Sequence, residues 1–216
     1  MGIGHKTMTQ FEEKKFNIPK LKGISEKTIE EHSKLYSGYV KHANLIWEKI
    51  AELKKDLDQG TPSGQGTSYA IGEMVRRFSF EYNGMRNHEV YFDSLSEGAK
   101  DLATESELKN AVTKTWGSFE AFLSGFKMMA MTRGIGWAVL WYDRKDERLF
   151  ATWVDEQHLG QLQDCSVILG LDMWEHSYVA DYQPSGKKQY IEDFFTNLNW
   201  QKIEENFKSA NWRENV

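Results

Sequence analysis

Asp172-Met173-Trp174-Glu175-His176 is the stretch that decides how this chain is read. A carboxylate and an imidazole stand four residues apart, directly after the apolar run Val167 to Leu171, which is predicted to be a strand. Asp and neutral His both ligate first-row metals. A carboxylate with histidines and no cysteine suits iron, manganese or zinc better than a soft-metal site. On a helix this spacing puts both side chains on one face. At a strand end that bends into a helix, it still lets them converge on one ion. D-x-x-x-H alone is weak evidence, so the other histidines decide the matter.

There are six: His5, His32, His42, His88, His158 and His176. His5 lies in a polar N-terminal segment, and His42 falls on the polar face of a predicted helix. His32 and His88 sit inside two long helical patterns, each beside aromatic residues. One histidine on an apolar face is more often a hydrogen-bonded core residue than a ligand. Two of them with Asp172 and His176 are a different case. Three imidazoles and one carboxylate on separate elements form a closed shell with one position left for solvent.

Composition sets the bounds. The chain has 216 residues, 40% of them hydrophobic, room for one large or two small domains. Its formal net charge of -5 argues against a nucleic-acid partner. No apolar run reaches the length of a membrane span. Met1-Gly2-Ile3-Gly4-His5-Lys6 lacks the apolar core of a secretory signal, so the expected compartment is the cytoplasm. The single Cys165, beside a predicted strand, is expected to be a buried thiol in a reducing compartment. Tyr36, Tyr39, Tyr82, Tyr91, Phe92, Trp137, Trp153, Trp174 and Tyr178 lie near the candidate ligands in the chain. They read either as an aromatic-rich core or as a shell that limits solvent at a metal.

The chain is predicted to be α+β: an N-terminal long helical hairpin, then a C-terminal mixed domain with a three-stranded antiparallel sheet and helices. Residues 1–96 form the arm-and-hairpin domain in this reading, and 97–216 the second domain. Residues 1–24 read as an extended arm. Ser25 opens a helix that continues to about Leu57 with apolar residues at helical spacing. Residues 58–66 read as a loop, and a second helix runs from about Ser68 to Leu95, with Gly84 permitting close packing. Helices are also predicted from Glu105 and over Ser118 to Met131, where Met128, Met129 and Met131 read as core filler. Trp137–Tyr142 and Leu149–Val154 form a hairpin, and Val167–Leu171 the third strand. Pro184-Ser185-Gly186 separates a short helix from a last one around Tyr190 to Phe195.

This pattern resembles the iron/manganese superoxide dismutase family across nearly the whole chain. Asp172-Met173-Trp174-Glu175-His176 with Tyr178 resembles its D-x-W-E-H-x-Y signature. Tyr190-Ile191 and Asn199-Trp200 resemble its C-terminal pattern, and Gly136-Trp137-Ala138 its G-W-A/V strand opening. Asn87-His88 resembles the N-H that carries the second ligand. Thr28-Ile29-Glu30-Glu31-His32 resembles the opening of helix one, with the first ligand at its end.

The resemblance implies a superoxide dismutase with one manganese or iron ion per subunit, held by His32, His88, Asp172 and His176. Catalytic roles fall to Tyr39, similar to the gateway tyrosine, and to Gln157, which is expected to hydrogen-bond the solvent on the metal. His158 is the alternative for that bond, since some relatives use histidine there. Others supply a glutamine from helix two, at the position of Gly84. Gly84 with Gln157 points towards manganese, although the ligand set accepts both metals. Trp137, Trp174, Glu175 and Tyr178 are expected to surround the site and the subunit contact. Glu175 implies a homodimer, with a tetramer left open. One departure concerns register: Tyr39 follows His32 by seven residues where the family has eight, and aligning on Tyr39 would put Glu31 in the ligand position. His32 keeps Thr28, Ile29 and Glu30 in register. A non-haem iron oxygenase needs more open positions, a zinc hydrolase needs a general base where Gln157 stands, and an inactive relative would keep the fold without turnover.

Overall fold

The computed structural model describes residues 10–58 and 64–211. His5 and residues 59–63 of the expected loop lie outside them. Helix α1 spans Glu26–Asp58. Its start is set by Ser25, whose Oγ accepts the Thr28 N–H at 3.1 Å, so the side chain satisfies a donor that has no helical partner. Thr28, His32, Tyr36, Val40, Ala43 and Ile50 are buried, a stripe at helical spacing. The helix is α throughout, so residues seven apart, such as His32 and Tyr39, share one face.

Helix α2 spans Gly64–Leu95 and packs along α1. It starts four residues before the predicted Ser68. Glycines marked the break, but a first turn has N–H groups without helical partners in any case, so it tolerates them. The last third of α2 is buried on almost every side, including Met85, His88, Tyr91, Phe92 and Leu95, because it runs between α1 and the C-terminal sheet.

Short helices α3 (Glu107–Trp116) and α4 (Phe119–Ala130) follow. Each is capped by the side chain of the preceding serine, Ser106 or Ser118. Strands β1 (Gly136–Asp143), β2 (Arg148–Asp155) and β3 (Cys165–Asp172) form one antiparallel sheet in the order β2-β1-β3. The central strand β1 is buried along nearly its whole length, which accounts for the continuous apolar run Trp137–Tyr142. A register shift between Leu140 and Trp141 interrupts its pairing with β3. After β3 come a 3-10 turn at Glu175–Ser177, α5 (Val179–Tyr182), α6 (Lys187–Asn197) and α7 (Trp200–Asn211).

Helix α7 follows α6, the helix predicted to be the last. Its signal is present in Ile203, Phe207 and Ala210, all buried and spaced by four and three residues. Met128 and Met131, expected as core filler, are instead 75% and 43% exposed. They fall on the outer side and at the end of a helix whose inner face already carries Phe122, Phe126 and Ala130. Cys165 is half-buried rather than buried, because it opens β3 at the sheet's end.

Residues 10–24 form no helix or strand and run over the hairpin as an arm. The Asn44 side chain bonds both the N–H and the carbonyl of Phe11, at 2.8 and 2.9 Å. The Tyr36 hydroxyl accepts the Lys14 N–H at 2.8 Å. Among the described residues no helix is long and apolar enough to cross a membrane.

Candidate metal centre

Four elements deliver one donor each to a single point. His32 comes from α1, His88 from α2, Asp172 from the last position of β3, and His176 from the 3-10 turn. One ligand atom of each lies within 4.8 Å of the others. The convergence is on Asp172 Oδ2. His32 Nε2 stands 3.0 Å from it, His176 Nε2 3.1 Å and His88 Nε2 3.6 Å. His32, His88 and Asp172 are buried, and the His176 side chain keeps 24% exposure, which makes it the solvent-facing member.

Asp172 is held so that its two oxygens divide the work. Oδ1 accepts the Trp174 N–H at 2.8 Å, leaving Oδ2 to the imidazoles. The Asp172 carbonyl accepts from Ser177 Oγ and from the Tyr190 hydroxyl, each at 3.0 Å. His88 is fixed as firmly. Its Nδ1 lies 2.6 Å from the Gly84 carbonyl one turn back, so Nδ1 carries the proton and donates it. That leaves Nε2 as a lone pair aimed at a carboxylate oxygen, buried and with no hydrogen-bond partner. A cation between two acceptors that face each other satisfies both. This orphaned nitrogen, together with the three-imidazole, one-carboxylate donor set, fits a first-row metal ion.

Burial and neighbours shift these groups. Burial drives the His88 imidazole down to about 3, and nearby His32 pushes the same way. Burial also lowers His32, against the opposing pull of Asp172. For Asp172, burial favours the neutral acid. His176 and His32, by charge and hydrogen bond, outweigh it and hold the carboxyl below its ordinary range. All three shifts favour the deprotonated forms that metal binding needs.

Aromatic rings enclose the group. Tyr91 and Phe92 lie 4.8 and 5.0 Å from the His32 ring, Trp137 and Tyr39 lie 5.1 and 5.0 Å from His88, and Trp174 stacks on His176 at 5.7 Å. Gln157 is fully buried and bridges two of these rings. Trp137 Nε1 donates to its Oε1 at 2.9 Å, and its Nε2 donates to the Tyr39 hydroxyl at 2.9 Å. The indole donor fixes the amide's orientation, since only the oxygen can accept it. The Gln157 carbonyl is tied by Asn87 Nδ2 at 3.0 Å, next to the His88 ligand position.

His158 is not among the four donors, and its ring lies 5.7 Å from Phe80. Glu31 is exposed and pairs with Lys34. Glu175 is exposed, and Tyr178 stacks on Tyr190 at 5.4 Å, so neither joins the four donors. Ser177, Gln161 and Phe80 carry no motif and escaped the sequence reading. Ser177 had one usable signal, a hydroxyl in the turn directly after His176.

Fold and site together define a mononuclear metalloprotein: a helical hairpin supplies two imidazoles, and the end of a three-stranded sheet supplies the carboxylate and the third. Residues 104–206 match the C-terminal domain of the iron/manganese superoxide dismutases. The chain is 37% identical over 166 residues to an iron superoxide dismutase of Cupriavidus metallidurans, covering 76% of this chain and 78% of that one. It is 30% identical to the iron enzyme of Pyrobaculum aerophilum, covering 70% and 69%. It is 31% identical to a manganese superoxide dismutase of Haloferax volcanii, covering 75% and 76%. The chain belongs to the iron/manganese superoxide dismutase family.

Proposed function

We propose that this chain is a superoxide dismutase, holding one iron or manganese ion on His32, His88, Asp172 and His176. Two superoxide anions and two protons give one dioxygen and one hydrogen peroxide. The observation that carries the reading is the convergence of three imidazole Nε2 atoms on Asp172 Oδ2, in a chain of this family. An iron or manganese ion held there would supply the one-electron couple that this disproportionation needs.

The chain's own residues do the rest. The Gly84 carbonyl holds the His88 proton at Nδ1. Trp137 holds the Gln157 amide so that its Nε2 donates to Tyr39, and the amide has a second N–H to donate. The Tyr39 hydroxyl accepts from Gln157, which leaves its own proton available for donation. Burial, then the charges of Asp172 and Glu81, raise the Tyr39 phenol above its ordinary value, so it keeps that proton through the neutral range. The surrounding rings cover His32 and His88 and leave His176 as the solvent-facing donor.

The family resemblance supports a homodimer in which Glu175 bonds the ligand histidine of a partner subunit. The exposure of Glu175 and the solvent-facing position of His176 are compatible with that contact.

Elemental analysis paired with a superoxide-consumption assay tests the function. Near-stoichiometric iron or manganese with activity is expected, and reconstitution with each metal decides which one is active. Tightly bound zinc with no turnover would overturn the reading.

A further inference from the structure

Glu81 lies seven residues before His88, two turns along the same face of α2. It is 5% exposed, and a carboxylate so buried is costly unless paired. Arg77 Nε donates to its Oε1 at 2.9 Å, and His42 of α1 stands 3.7 Å from its Oε2. The same guanidinium covers the Phe80 ring, with Cζ 3.6 Å from the centroid. Phe80 is itself 8% exposed and wedged among three elements. Its centroid is 6.0 Å from Tyr39 on α1, 5.7 Å from His158 after β2, and 6.4 Å from Trp174 after β3. Tyr39 and Trp174 are the rings against His88 and His176. Arg76, one residue earlier, makes a contrast: its guanidinium pairs with exposed Glu73 one turn back.

We infer that Arg77 and Glu81 are positioning residues for the metal centre. The buried carboxylate aims the guanidinium, the guanidinium holds the Phe80 ring, and Phe80 keeps Tyr39 and Trp174 against the ligand imidazoles. Lysine cannot replace Arg77 here, because a point-like ammonium does not stack flat on a ring while donating sideways to a carboxylate. The inference rests on the superoxide dismutase reading above, and it is distinct from charge steering. A steering cation needs only its charge, whereas a clamp needs the planar group and its acceptor.

The test uses the metal-loaded chain and the metal-free chain in parallel, with Arg77→Lys, Arg77→Gln, Glu81→Gln, Glu81→Ala and Arg76→Gln. A metal-loaded wild type without superoxide consumption would refute the dismutase reading alone. The clamp would still be read in the metal-free chain by NMR, from exchange of the Trp174 indole N–H, which donates to the Glu156 carbonyl at 3.1 Å. Arg77→Lys is expected to keep the metal and the ionic-strength dependence of kcat/KM. Its kcat should fall roughly fivefold and its Trp174 N–H should exchange roughly fivefold faster, the scale of one lost cation–π contact. Glu81→Gln retains an oxygen for Arg77 Nε and should recover most of the loss seen in Glu81→Ala. Arg76→Gln should match wild type. Wild-type kcat and wild-type Trp174 exchange in Arg77→Lys would overturn the inference. So would a loss confined to Arg77→Gln with a flattened salt dependence, which would make Arg77 a steering charge. Should Glu81→Ala fail to fold, Arg77→Lys and Glu81→Gln decide.

Discussion

The ring of Tyr39 lies against the bare α-carbon of Gly84: a Cβ at that position would stand 2.5 Å from Tyr39 Cδ1. The close approach of α1 and α2 at the metal centre depends on that missing atom. Gly84→Ala gains roughly 1 kcal/mol of helix propensity but forces the root of the Tyr39 ring to move, and overpacking of this kind costs about 1–3 kcal/mol. The expected variant keeps its metal and has an unchanged or slightly lowered Tm. It loses turnover as the bond between Tyr39 and Gln157 is displaced. Steady-state kinetics beside thermal unfolding check this, and wild-type turnover would show that the ring relocates freely.

His32 and Glu31 give the sharpest contrast on α1. His32→Ala should abolish metal retention, since it removes a buried donor from the group of four. Glu31→Ala should leave metal content untouched, because that side chain is exposed and bonded to Lys34. Elemental analysis of the two proteins decides the register, and the reverse pattern would place Glu31 in the shell.

Gln157→Glu should retain the metal and depress turnover strongly. Trp137 Nε1 can still donate to a carboxylate, but nothing remains to donate to the Tyr39 hydroxyl. The new charge would also be fully buried, which is costly without a cationic partner. Gln157→Ala leaves the Trp137 indole N–H without an acceptor, at a cost of about 1–3 kcal/mol. His158→Ala should matter less than either. Single-turnover kinetics separate them, and greater damage from His158→Ala would move the role to that residue.

The metal-free chain should lose stability as pH falls below about 6.5. His88 and His32 have an ordinary value of 6.5 when unfolded, and burial lowers both in the folded chain. Below 6.5 the unfolded chain therefore takes up protons that the folded one refuses, so stability rises with pH through this window. Asp172, held below its ordinary 3.8, adds a further loss as pH drops past that value. Melting curves in chelator from pH 7 to 3 measure it. A melting temperature that stays level or climbs on acidification contradicts the burial argument.

Glu175→Ala should weaken dimerisation and disturb metal retention, because a partner histidine N–H would lose its acceptor at a buried contact, worth roughly tenfold or more in association. Analytical ultracentrifugation reads this directly. A fully active wild-type monomer at low concentration would remove the proposed assembly.

Sequence by itself indicated most of the elements and the four donors that the structure brings together. Helical spacing placed His32 and His88 within two long helices, Ser25 marked the start of α1, and the run from Val167 led into Asp172 and His176. These are local signals, written in periods of two and 3.6 residues. Boundaries were less legible: α2 begins earlier than its glycines suggested, and α7 was missed although its apolar spacing is plain. Tertiary structure alone seated Gln157 between the Trp137 and Tyr39 rings and His158 against Phe80. That choice turns on a Trp137 indole twenty residues away in the chain and a Tyr39 hydroxyl on another helix. It alone joined Arg77, Glu81 and Phe80 to the centre, because that contact needs two helices side by side. Adjacent residues on a loop carry no period that says which one turns inward. Packing against distant elements makes that selection.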